Sequence, residues 1–148
     1  MIPPMFDSMV VGTDGSDTAA KAVEFALDLA SRYEARIVFL SAYKAVSEDR
    51  LKREARDAPE DVQWQINPAE DVEPALRDAE DAARERGLNA KSEAKEGDPG
   101  RVLVDLASKH GADILVIGNK GMQRKVLGSV PNTVSHKADC AVLIVKTT

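Results

Sequence analysis

Met9-Val10-Val11-Gly12-Thr13-Asp14-Gly15-Ser16 sets a brief apolar run directly against a turn of glycines and short polar residues. A short apolar run bounded by such a turn suits a strand buried on both faces. A helix follows at once: Ala19, Val23, Ala26, Leu29, Ala30 and Tyr33 recur at three- and four-residue steps. Ser16 is placed to cap it, its hydroxyl accepting from a first-turn amide that has no partner within the helix. Strand, glycine turn and helix in that order make the first half of a βαβ unit.

The same alternation continues outward from this stretch. Ile37-Val38-Phe39-Leu40 reads as a second central strand. From Lys44 to Gln65 charges of both signs crowd together with poor periodicity, the pattern of a long connection and not of a second domain. Asn67-Pro68 predicts a helix start, with Val72, Leu76, Ala79 and Ala83 as its inward stripe and Gly87 as its stop. Leu88, Ala90, Ser92 and Ala94 alternate with polar neighbours, which marks a half-exposed edge strand. Asp98-Pro99 repeats the cap-then-proline start, and Val102, Leu103, Leu106 and Ala107 line that helix up to Gly111. Ile114-Leu115-Val116-Ile117 is another central strand, ending at Gly118. Ser129 is expected to cap a short last helix bearing Val130, Val134 and Ala138 on one side. Ala141 to Val145 forms a final apolar strand.

These elements predict one domain over residues 1–148: an α/β fold with an open five-stranded parallel sheet and helices on both faces, Rossmann-like. Strand orders 3-2-1-4-5 and 2-1-3-4-5 both fit the element order. The polar third strand belongs at an edge, which favours 3-2-1-4-5. Strands one and four are then neighbours, and ligands of open α/β sheets bind outside the carboxyl ends of strands at such a switch point. The turns after Val11 and after Ile117 would face each other there.

Composition narrows the function classes. Of the 148 residues, 43% are hydrophobic and 30% charged, an ordinary globular balance. A net charge of -5 argues against a general nucleic-acid binder, which needs a basic excess to neutralise phosphates. Cys140 is the sole cysteine, so no intrachain disulfide forms and a reducing compartment is indicated. No apolar run approaches the ~20 residues of a membrane span, and Met1 to Phe6 has neither a basic flank nor a long apolar stretch. The cytoplasm is the expected location, with no membrane partner.

The loop Gly118-Asn119-Lys120-Gly121-Met122-Gln123-Arg124-Lys125-Val126-Leu127-Gly128-Ser129 carries the chemistry. Its glycines let amides approach an anion closely, and Gly128-Ser129 opens a helix whose dipole and free amides favour phosphate. Lys120, Arg124 and Lys125 add positive charge. The bland alternative is that the glycines only close turns and the cations are solvated. Asp14, at the end of the first strand, suits an adenine amino group or a ribose hydroxyl as an acceptor. Its bland role is to organise the turn through its own carboxylate.

Taken together, these motifs resemble the universal stress protein family across essentially the whole chain, from Val10-Val11-Gly12-Thr13-Asp14-Gly15-Ser16 to Val142-Leu143-Ile144-Val145-Lys146. Gly128-Ser129-Val130-Pro131 is similar to actinobacterial members. Nucleotide-binding members carry Gly-x-x-Gly and then Gly-Ser or Gly-Thr, matched here by Gly118, Gly121, Gly128 and Ser129. The resemblance implies that Gly118, Gly121, Gly128, Ser129 and Val130 meet phosphates and ribose. It also implies that Thr13 and Asp14 meet the adenosine half, that Ala42 lies against the base, that Ile117 closes the pocket, and that Gly12 is among the nucleotide-binding residues. Only six residues separate Gly121 from Gly128, three fewer than in the family's ATP-binding pattern. The implied ligand is therefore an adenine nucleotide, with ATP (and Mg²⁺), AMP and cyclic AMP all in view.

Other residues receive plainer readings. His110 ends a helix where a cation suits the dipole. His136 faces solvent, Cys140 is a small core residue, and Trp64 pins the long connection. Without a Walker motif, a kinase motif or a Ser-His-Asp order, a binding module is expected and not an enzyme. Weak ATP hydrolysis through Asp14 and a metal, and a nucleotide-free interaction protein, are the alternatives. A flavin carrier is disfavoured by the 4% aromatic content. Ala141 to Val145, apolar throughout at a sheet edge, predicts a homodimer paired along that strand.

Overall fold

A computed structural model of the chain describes residues 6–43, 69–119 and 129–147. Across them strands and helices alternate: β1 (Ser8–Gly12), α1 (Asp17–Tyr33), β2 (Arg36–Tyr43), α2 (Ala69–Glu85), β3 (Ala90–Glu96), α3 (Pro99–Lys109), β4 (Ile114–Gly118), α4 (Ser129–Lys137) and β5 (Ala141–Val145). The long connection, Trp64 and the Asn67-Pro68 helix start lie outside the described residues.

The helix ends follow the chemistry of their sequences. Ser16 is extended (φ -75, ψ 163) and its hydroxyl accepts from Ala19 N–H at 3.1 Å. Asp98 does the same for α3, accepting from Arg101 N–H at 3.2 Å, with Pro99 at the first position where no amide is missed. Gly87 follows α2 with φ +77, a left-handed geometry that costs glycine little. α1 stops without such help. Glu34 itself takes φ 53 and donates its N–H to Ala30 C=O, a conformation unfavourable for a side chain with a Cβ.

All strand pairs are parallel and the order is β3-β2-β1-β4-β5. That is the order the polar third strand called for. β3 lies at one edge, with Ala90 buried and Lys91, Lys95 and Glu96 exposed. β1 is buried at every position, as a central strand must be.

Two apolar layers sandwich the sheet. On one face Met9, Val11, Ile37, Phe39, Ile114 and Val116 meet the inner sides of α1 and α2. On the other, Val10, Val38, Leu40, Leu115 and Ile117 meet α3 and α4. Successive residues of one strand therefore serve opposite layers. α3 and α4 approach closely because Gly100 has no side chain: a Cβ there would stand 2.8 Å from Thr133 Cγ2.

β5 forms the other edge. Ala141 is exposed, Val142, Leu143 and Ile144 are half-buried, and Val145 is buried at 8% exposure. Its side chains are shared between the two layers, Leu143 on the first and Val142 and Ile144 on the second. Among the described residues no further strand pairs with β5 on its outer side.

Candidate functional site

From β1 the chain moves outward through β2 to β3, then returns across the sheet to β4. The carboxyl ends of β1 and β4 are thus adjacent, with connections leading away in opposite directions. Val11 pairs with Val116, which brings Gly12 and Ile117 side by side at the top of the sheet. A crevice at this switch point is the predicted ligand position.

On the β1 side the backbone is held in a fixed turn. Thr13 N–H donates to Leu40 C=O at 2.9 Å, extending the ladder one residue past the strand. Thr13 Oγ1 accepts from Gly15 N–H at 3.2 Å, and Asp14 Oδ1 accepts from Ser16 N–H at 2.9 Å. Gly15 turns with φ +82. Asp14 therefore does organise its turn, and that bond takes one of the roughly four acceptor positions of a carboxylate.

Gly12 has a role that its place in the turn did not reveal. It is not in a left-handed conformation; a Cβ there would meet Leu103 Cδ1 at 2.9 Å and Ile117 Cγ2 at 3.2 Å. The missing side chain makes room for the core beneath the crevice. Ile117 is 3% exposed and belongs to the same layer, with Ala42 packed against it at half burial. Gly12, Ala42 and Ile117 thus lie on one face at the top of the sheet, as a floor.

On the β4 side, Gly118 and Asn119 lead out of the strand. Residues 120–128, with Gly121, Gly128 and the cations Lys120, Arg124 and Lys125, lie outside the described residues. α4 opens at Ser129 itself, one residue earlier than a cap at that position would place it. Ser129 is exposed and Val130 half-buried, its side chain packed on the second layer. Pro131 is buried in the first turn, where an amide would lack a helical partner anyway, and that turn carries no acidic residue. Its end of the helix is electropositive.

The histidines sit elsewhere. His110 caps the carboxyl end of α3, and β4 begins a few residues later, which places His110 at the amino end of the sheet, away from the crevice. Its Nε2 lies 2.9 Å from Glu93 Oε1, and Lys109 Nζ bonds both Glu93 oxygens at 3.1 and 3.0 Å. The Lys109 bonds hold the Glu93 carboxyl below its ordinary range against the opposing effect of burial, and the His110 bond adds a smaller lowering. His136 is exposed in the last turn of α4. Cys140 is half-buried against the second layer, and burial pushes its thiol up, with Asp139 adding to the effect.

Sequence reading passed over one feature beside the crevice: buried Asn119 bonds buried Thr147 across the ends of β4 and β5. The available signal was a polar residue just beyond each of two neighbouring apolar strands.

A doubly wound parallel sheet with a topological switch point between β1 and β4 defines the class. Comparison with known proteins then gives the lineage: residues 5–146 match the universal stress protein family model, and the chain belongs to that family. A universal stress protein of Mycobacterium tuberculosis, Rv1636, is 37% identical over 97% of this chain and 98% of its own. The YxiE universal stress protein of Bacillus subtilis is 31% identical over 96% of this chain and 100% of its own. A universal stress protein solved in complex with cAMP superposes with a TM-score of 0.73 at 32% identity, covering 97% of this chain and 98% of that one. The fold is shared with an Archaeoglobus fulgidus universal stress protein solved with dAMP, at a TM-score of 0.68 and 21% identity over 96% of this chain and 99% of that one. No helix among the described residues is long and apolar enough to cross a membrane.

Proposed function

We propose that the chain is an adenine-nucleotide-binding module that senses or stores a nucleotide in the cytoplasm, and that it works by binding and not by turnover. The observation that carries this reading is the meeting of Thr13-Asp14 with the Gly118 end of β4 at the switch point, over a floor of Gly12, Ala42 and Ile117. The donor set fits the ligand. Asp14 is an acceptor for a ribose hydroxyl or the adenine amino group. The Ser129 hydroxyl and the first amides of α4 are donors for a phosphate, in the field of an electropositive helix end. The cAMP complex of a relative 32% identical along almost the whole chain supports the same ligand class. ATP with Mg²⁺, AMP and cyclic AMP share the adenosine half, so the proposal is made for the class.

Binding without turnover is supported by the placement of the histidines. Efficient phosphoryl transfer needs a positioned water or base and a charge clamp at the terminal phosphate. His110 and His136 lie away from the crevice, and His110 Nε2 is engaged with Glu93. In the proposed working form two copies pair along β5, the edge strand of the sheet among the described residues.

The test is calorimetric titration of nucleotide-stripped protein with ATP, AMP, cyclic AMP and adenosine. Ser129→Ala should cost roughly 1.5–3 kcal/mol for nucleotides, about 10- to 100-fold in affinity. Asp14→Asn keeps an oxygen for Ser16 N–H and removes the charge, so it should weaken adenosine as well as nucleotides. Failure of every compound to bind would overturn the reading. Mg²⁺-dependent hydrolysis that Asp14→Asn abolishes would replace it with the enzyme.

A further inference from the structure

Beside the crevice, β4, β5 and α1 are tied together at a single point. Asn119 and Thr147 are each 3% exposed. Asn119 Oδ1 accepts from Thr147 N–H at 2.8 Å and from the Thr147 hydroxyl at 2.9 Å. A backbone N–H can only donate, so the orientation of the Asn119 amide is fixed by its partner. Asn119 N–H in turn donates to Val145 C=O at 3.0 Å, and Lys21 Nζ of α1 donates to Thr147 C=O at 3.2 Å. Thr147 fits there because Gly118 has no side chain: a Cβ on Gly118 would stand 3.3 Å from Thr147 Cγ2.

The consequence follows from where these bonds lie. Gly118 ends β4 and Asn119 is the last described residue after it before the crevice, so whatever fixes them fixes one wall of the site. Buried polar pairs in a dry surrounding hold a single arrangement because every alternative strands a donor or acceptor. Such a pair does more than fill space.

We infer that Thr147 is a positioning residue for the nucleotide crevice, acting through Asn119 and Gly118 and not by touching the ligand. The inference rests on the adenine-nucleotide reading of the site. It makes the segment after β5 part of the binding apparatus, since the hydroxyl that holds the end of β4 comes from there. Thr147→Val keeps the shape and the N–H bond but removes the hydroxyl donor; Thr147→Ser keeps the donor.

The experiment titrates cyclic AMP, and AMP in parallel, into wild type, both Thr147 variants and Ile37→Val. Ile37 is a buried core residue at the amino end of β2, so Ile37→Val lowers stability at a distance from the crevice. Thr147→Val should bind about 3- to 10-fold more weakly, the loss expected for one buried hydrogen bond. Thr147→Ser should stay within about twofold of wild type. A merely structural role would lower melting temperature in Thr147→Val and Ile37→Val alike and leave both affinities alone. Wild type that binds while Thr147→Val binds equally tightly would overturn this inference alone. Wild type that binds neither nucleotide would overturn the site reading and this inference with it. Should Thr147→Val not fold, the exposed Lys21→Met variant removes a weaker part of the same tie, and an affinity loss under about 1.5-fold there would count against the inference.

Discussion

Leu103 occupies the space that a side chain at Gly12 would need, its Cδ1 lying 2.9 Å from the position of a Gly12 Cβ. Helix α3 and strand β1 therefore meet through a glycine at the floor of the crevice. Gly12→Ala should destabilise the fold by about 1–3 kcal/mol, the usual cost of overpacking a core. Leu103→Val withdraws the clashing methyls, so the double variant should recover part of that loss. Urea denaturation of the four-member cycle measures the coupling, and strict additivity would contradict the contact.

The Glu93 cluster gives stability a pH dependence of known sign. Lys109 first, and His110 after it, hold the Glu93 carboxyl below its ordinary value of 4.5. A depressed folded-state value means that the contribution is fully present above the unfolded value and fades as pH falls through the folded one. Melting temperatures of wild type and Glu93→Gln should therefore differ at pH 6 and converge as the pH drops below about 4.5. The Lys109 side chain is 62% exposed, so the difference should amount to less than about 1 kcal/mol. A gap that widened in acid would contradict the assignment.

β5 supplies the test of assembly. Val145 is buried within one chain, so a charge there would probe folding and not pairing. Val142 is half-buried at the open edge, and its side chain can reach water if it becomes longer. A lysine on an edge strand discourages strand addition. Light scattering at tens of micromolar should give about twice the monomer mass for wild type and a shift toward monomer for folded Val142→Lys. A monomeric wild type would rule out pairing along this strand.

Much of this was legible in the residues, and the exceptions have physical causes. The strands announced themselves because a doubly covered parallel sheet needs unbroken apolar runs such as Ile114 to Ile117. The edge position of β3 was readable from its polar alternation, and that fixed the strand order and hence the crevice. Ser16, Asp98 and Gly87 carry their cap chemistry within three residues of sequence. Asn119–Thr147 and Glu93–His110 were not readable, because each joins residues brought together only by register or by helix packing. The packing role of Gly12 was not legible either. The packed sheet demands empty space at that position, which only the fold reveals. Glu34 shows the converse: α1 ends in a left-handed residue where no glycine advertises the stop.

The central claim, an adenine nucleotide seated between the ends of β1 and β4, is tested most directly by amide chemical shifts. Isotopically labelled, nucleotide-stripped protein would be titrated with cyclic AMP and followed by two-dimensional proton–nitrogen spectra. Saturable shifts should concentrate at Thr13, Asp14, Gly118, Asn119, Ser129 and Val130, with the amides of His110 and His136 unmoved. Shifts confined to the amino end of the sheet, or none with cyclic AMP, AMP or ATP at millimolar concentration, would contradict it.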